Sequence, residues 1–140
     1  MSEDPFSHLF DKGNQMWTEV MGSLPPPNAP DGSLDDLARK LIFGELWARP
    51  GLSIRDRRLV NLTLLAMLGR DSVTPYHVRA ALESGDFDAD QLEELSVHLA
   101  FYAGWPVATA FVQLVRAEVR RQAADPDANA TAVESGDPGN

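Results

Sequence analysis

Apolar positions along this chain recur every three or four residues, and no stretch alternates as a half-buried strand would. From Phe6 to Gly22 the apolar set is Phe6, Leu9, Phe10, Met16, Trp17, Val20 and Met21, with Gly22 as the expected stop of a first helix. Leu24 to Gly32 carries four prolines and a glycine and reads as a stiff connector. Ser33 is then a cap, with Asp35 and Asp36 in the first turn where the helix dipole favours anions, opening a helix from Leu34 to about Trp47.

Arg49-Pro50-Gly51 breaks that helix. Ser53 caps the next, with Asp56 three residues on in a box-like pattern. The segment to Leu68 is apolar on most sides (Leu59, Val60, Leu62, Leu64, Leu65, Met67 and Leu68), which predicts the central buried helix. Thr74-Pro75 opens a fourth helix through Leu82, and Gly85 stops it. Asp88 or Asp90 starts a fifth, to about Tyr102. Gly104 and Pro106 punctuate before a sixth, Val107 to Gln122, whose apolar side is Ala108, Phe111, Val112, Val115 and Val119. Ala123 to Asn140 lacks large apolar residues and is expected to be disordered. The fold class is therefore all-α, six helices in one domain over 1–122, followed by a tail over 123–140.

Composition changes that picture little, but it narrows function. The chain has 140 residues, 44% hydrophobic and 24% charged, with a net charge of −9. The body stays acidic even without Asp125, Asp127, Glu134 and Asp137 of the tail, so a nucleic-acid partner is not expected. No apolar run is long enough to span a membrane, and the first ten residues carry Glu3 and Asp4 rather than a basic leader, so a cytoplasmic protein is expected. Cysteine is absent, which excludes thiolate catalysis, disulfides and Cys-ligated zinc. Apolar faces on nearly every helix exceed what one small core needs, pointing to a homotrimer or homohexamer.

Three groups of residues could carry chemistry. Arg49, Arg55, Arg57 and Arg58 reverse the local sign of an acidic chain, and guanidinium forks suit a carboxylate; a solvated helix start or an intersubunit ion-pair surface accounts for the cluster equally well. Arg49, in a loop, is the favoured member. Of three histidines, His8 is terminal. His77 lies in the first turn of its helix, where the dipole favours a neutral imidazole, and His98 follows Glu94 by four residues on one face. Each also fits a structural histidine, and neither has metal-ligand spacing, so no metal is expected. Finally, Phe101-Tyr102-Ala-Gly-Trp105-Pro places aromatics at a helix break, as pocket wall or as core; Trp47 before Arg49 shares that ambiguity.

Several segments together resemble one family. Phe43-Gly-Glu-Leu-Trp-Ala-Arg-Pro-Gly-Leu-Ser53, Arg55-Asp-Arg57 with Leu68-Gly-Arg70, His77-x-x-x-Ala81-x-x-x-Gly85, and Glu94-x-x-x-His98-x-x-x-Tyr102-Ala-Gly-Trp-Pro106 stand in the order and spacing of γ-carboxymuconolactone decarboxylases. The resemblance covers roughly Phe6 to Gln122. It implies an alkylhydroperoxidase D-like helical fold. The peroxidases of that superfamily place a Cys-x-x-Cys pair where Arg70 and Val73 stand here, so their chemistry is excluded.

The resemblance further implies cofactor-free decarboxylation of 4-carboxymuconolactone to an enol-lactone and CO2, in aromatic catabolism through protocatechuate. Arg49 and Arg55 would clamp a spectator carboxylate. His77 would act as oxyanion donor or general acid, Glu94 and His98 as a second proton-handling pair, and Trp47, Tyr102 and Trp105 as pocket lining. Alternatives are a related lyase acting on another lactone or β-keto acid in biosynthesis, and a non-enzymatic oligomeric scaffold. Ser72-Val-Thr-Pro-Tyr76 departs from the Glu-Leu-rich stretch commoner there and bears on substrate identity.

Overall fold

A computed structural model describes residues 4–125. Among them every regular element is helical: a 3₁₀ turn Ser7–Leu9, α1 (Phe10–Met21), α2 (Leu34–Leu37) continuing into a π-helical segment Ala38–Leu46, α3 (Ile54–Met67), α4 (Thr74–Glu83), α5 (Ala89–Tyr102) and α6 (Trp105–Ala124). The all-α expectation holds. Helix α6 starts at Trp105 and runs two residues past its expected end. The tail predicted to be disordered lies, beyond Asp125, outside the described residues. The chain divides into two compact units, 1–60 and 61–140, with the division inside α3.

Local chemistry explains several helix ends. Gly22 closes α1 at φ 69°, a left-handed conformation that glycine adopts without steric cost. The Ser33 hydroxyl accepts from the Asp36 amide, and Ser53 accepts from the Asp56 amide at 3.0 Å. Asp88, not Asp90, starts α5 through a reciprocal capping box with Gln91. At α4 the expected Thr74 cap is displaced by one: Val73 is the N-cap, and the Thr74 hydroxyl donates back to the Arg70 carbonyl at 2.8 Å.

In the N-terminal unit α1 packs along the π segment. Val20, Phe43 and Trp47 form its core, with Met16, Trp17, Met21 and Ile54 against them. The ordinary helix predicted over this stretch is widened to i→i+5 pairing, seen where the Trp47 amide donates to the Ile42 carbonyl. The buried positions Arg39, Lys40, Phe43, Gly44 and Trp47 recur every four residues, a spacing the wider helix keeps on one face. Two of them are cations. Lys40 reaches Asp36 at 2.7 Å and Asp4 at 2.5 Å, and Arg39 donates to the Pro26 carbonyl. Arg58, 3% exposed, donates to the Val20 and Glu19 carbonyls and so satisfies the C-terminal end of α1.

The C-terminal unit packs α5 and α4 against α6 around Leu62, Val78, Phe87, Leu92, Leu99, Phe111 and Val115. Burying each of the larger of these side chains contributes about 1.5–3 kcal/mol. Glu118 of α6, also buried, accepts from Arg79 of α4 at 3.0 and 3.2 Å and from Arg121 at 2.8 Å; Arg121 reaches on to Glu83.

Helix α3 is not the buried central helix its sequence predicts. Arg58 and Leu62 are its buried residues, while Leu59, Val60, Leu64 and Met67, and Leu68 just beyond the helix, are exposed. An apolar circumference is the pattern of a helix covered on several sides, but exposure here follows what packs across from α3 and not its own composition.

The buried ion pairs make stability pH-dependent with a definite sign. Hydrogen bonds from Lys40 hold Asp4 and Asp36 below their ordinary 3.8. Burial pushes Glu118 up, but the Arg79 and Arg121 hydrogen bonds outweigh it and the net shift is below 4.5. These carboxyls bind protons more weakly folded than unfolded. Their contribution is therefore complete above the ordinary values of 3.8 and 4.5 and is lost as pH falls through the lower folded values. Lys40 is raised above 10.5, so its contribution is lost only as pH rises beyond that value. Urea midpoints should be level between about pH 5 and 8 and fall below about pH 4. The double change Asp36→Asn with Glu118→Gln should start from a lower midpoint and flatten the acid limb. An acid limb of wild-type steepness in that variant would assign the effect to other groups.

Candidate active site

The residues singled out in the sequence fall in both units. In the N-terminal unit the arginine cluster separates by function. Arg58 is buried and structural. Arg57, half-buried, donates to the Arg49 carbonyl at 3.3 Å and so tethers the loop that carries Arg49. Arg49 itself is exposed; its guanidinium meets Glu45 at 3.3 Å and lines a cavity of about 380 Å³ with Lys12, Glu45, Ala48, Pro50 and Gly51. Arg55 is exposed on the first turn of α3. Trp47 is 5% exposed and belongs to the core with Val20 and Phe43, not to the wall of this cavity.

In the C-terminal unit His77 is half-buried in α4, past Pro75 in its first turn. Glu94, His98 and Tyr102 form an exposed strip along α5 at four-residue spacing. The contact expected between Glu94 and His98 is not made; His98 instead stacks on Tyr102, with ring centroids 4.9 Å apart and planes 11° apart. Trp105, just past the helix break, is 69% exposed and lines a groove of about 220 Å³ with Val97, Ala100, Phe101 and Val112. The polar end of that groove is the bidentate Arg116–Glu93 pair, at 2.6 and 2.9 Å; the hydrogen bond from Arg116 holds Glu93 below its ordinary 4.5. Among the described residues no group of three His, Asp or Glu side chains is placed to hold a metal ion.

Sequence reasoning missed Lys12, Glu45 and the tether from Arg57. Lys12 and Glu45 look like solvated helix charges, and no local pattern says that they border the same cavity as Arg49.

The chain matches the carboxymuconolactone decarboxylase family over residues 33–117 and belongs to it, which places it among the carboxy-lyases. Two relatives carry particular names. A 4-carboxymuconolactone decarboxylase of Acinetobacter baylyi is 32% identical over 111 residues, covering 75% of this chain and 82% of the relative. A nitrosuccinic acid decarboxylase of Metarhizium robertsii is 29% identical over 104 residues, covering 70% and 72%.

Proposed function

We propose that the chain decarboxylates 4-carboxymuconolactone to an enol-lactone and CO2 without a cofactor. The observation that carries this reading is the tethered, solvent-facing Arg49 beside a cavity of about 380 Å³, in a chain of this family. The reaction asks little of a protein. The bond from the ring to the departing carboxylate breaks, and its electron pair enters the unsaturated lactone as a dienolate. CO2 leaves, and a ring carbon then takes a proton. The protein supplies a cation for the remaining carboxylate, a donor toward the developing oxyanion, and an acid.

Arg49 takes the first role, with Arg55 beside it in the chain. A guanidinium fork grips a carboxylate through two parallel hydrogen bonds and stays charged at every relevant pH. His77 serves as oxyanion donor or proton donor. Glu94 and His98 are the second candidates for moving the proton, and Tyr102 and Trp105 for enclosing the substrate. The enzyme acts as a homotrimer or homohexamer in the cytoplasm.

A second reading is favoured by the nitrosuccinic acid decarboxylase relative. A nitro group next to a departing carboxylate accepts the electron pair as readily as a lactone does, so the same residues suit such an acid. The test is direct. Chelator-treated protein with no added cofactor should release CO2 from 4-carboxymuconolactone. Turnover of nitrosuccinate but not of the lactone would select the second reading. Recovery only on adding zinc or manganese would overturn the cofactor-free mechanism, and inactivity on nitrosuccinate and on every lactone acid alike would leave a scaffold.

A further inference from the structure

Lys12 has no part in the chemistry above. It stands on the exposed side of α1 and makes no ion pair or hydrogen bond among the described residues, yet it borders the cavity of Arg49. The Arg49 guanidinium is not free there, since Glu45 meets it through a single contact of 3.3 Å. We propose that this cavity is a two-cation carboxylate subsite, in which Lys12 is the second cation and Glu45 is a built-in competitor that the incoming carboxylate displaces. The inference rests on the reading of Arg49 as the substrate clamp.

Charge arithmetic motivates it. The chain carries −9, so its average field repels an anion, and a clamp needs a local excess of positive charge. Within the cavity wall Arg49 and Glu45 cancel, and Lys12 is the charge left over. The Arg49–Glu45 pair is suited to exchange because both side chains are more than half exposed, at 62% and 53%, and one long contact joins them. Such pairs are weak in water. A substrate carboxylate can form the two-point fork with Arg49 that Glu45 does not make, while Lys12 adds an unopposed charge. The subsite thus favours dianions over monoanions, because a second negative group meets a second cation.

The probe is succinate, titrated calorimetrically into the full chain at low salt. Lys12→Met should weaken binding about fivefold or more, and Lys12→Arg should restore it. Glu45→Gln should tighten binding about threefold or more by freeing Arg49. Arg120→Met, which removes the same charge from an exposed site on α6, should leave the affinity unchanged and so controls for net charge. On 4-carboxymuconolactone, Lys12→Met should raise KM far more than it lowers kcat.

Succinate that does not bind, or binding that falls no further in Lys12→Met than in Arg120→Met, overturns the two-cation subsite. Glu45→Gln without tightening overturns the competitor. A wild-type chain that binds succinate through Lys12 but never turns over the lactone would sink the proposed reaction and leave the subsite standing.

Discussion

Replacing His77 by asparagine should lower kcat on 4-carboxymuconolactone by about 10²–10⁴, the usual contribution of a positioned acid or base. That range corresponds to roughly 3–5.5 kcal/mol of transition-state stabilisation. Asparagine keeps a hydrogen-bonding group of similar reach but cannot deliver a proton near neutral pH. The expected signature is therefore a fall in kcat with KM nearly unchanged and an unchanged far-UV spectrum. His77 is half-buried in α4, whose start is stiffened by Pro75 and by the Thr74 hydroxyl bonded to Arg70. A site on such an element keeps its geometry when one side chain changes. A loss of tenfold or less would transfer the proton to the strip on α5, where His98 stacked on Tyr102 is the next candidate. His98→Asn in the same assay would then show the larger loss.

The second large effect is on folding. Gly13→Ala in α1 should destabilise the N-terminal unit by about 3 kcal/mol, at the upper end of overpacking penalties, and lower Tm by roughly 10 °C. The sign runs against local preference, because alanine in a helix interior is ordinarily favoured over glycine by about 0.5–1 kcal/mol. Here an added Cβ would lie 2.0 Å from the carbonyl oxygen of Arg39 and 2.7 Å from its carbon. Those are backbone atoms of the π segment and cannot swing aside as a side-chain tip can. Gly44 repeats the arrangement from the other element, where a Cβ would meet the Leu9 carbonyl oxygen at 2.6 Å. Gly13 lets α1, and Gly44 lets the 3₁₀ turn that precedes it, approach the π segment backbone to backbone. A thermal scan of Gly13→Ala showing equal or higher stability would mean that the helices separate at no cost.

Some of this protein was determined by sequence alone. Helix ends at Gly22, Ser33, Ser53 and Asp88 are decided within three or four residues by a hydroxyl, a carboxylate or a missing Cβ, and such signals act whatever packs nearby. The all-α class follows from the same periodicity, and the family from motif blocks whose order survives in the chain itself.

What tertiary structure decided is which side of each helix finds a partner. The apolar girth of α3 reads as burial, yet Leu64 and Met67 face solvent, because burial depends on what lies across from a helix and not on the helix. Lys40 and Arg58 are buried cations, compensated in large part by groups distant in sequence: Asp4 for Lys40, and the Val20 and Glu19 carbonyls for Arg58. Arg49 belongs to a cavity with Lys12 although 37 positions separate them, because α1 folds back along the π segment. Capping is a short-range hydrogen-bond problem that the chain solves locally. Compensating a buried charge or assembling a cavity wall takes groups far apart in sequence, and only the folded chain brings them together.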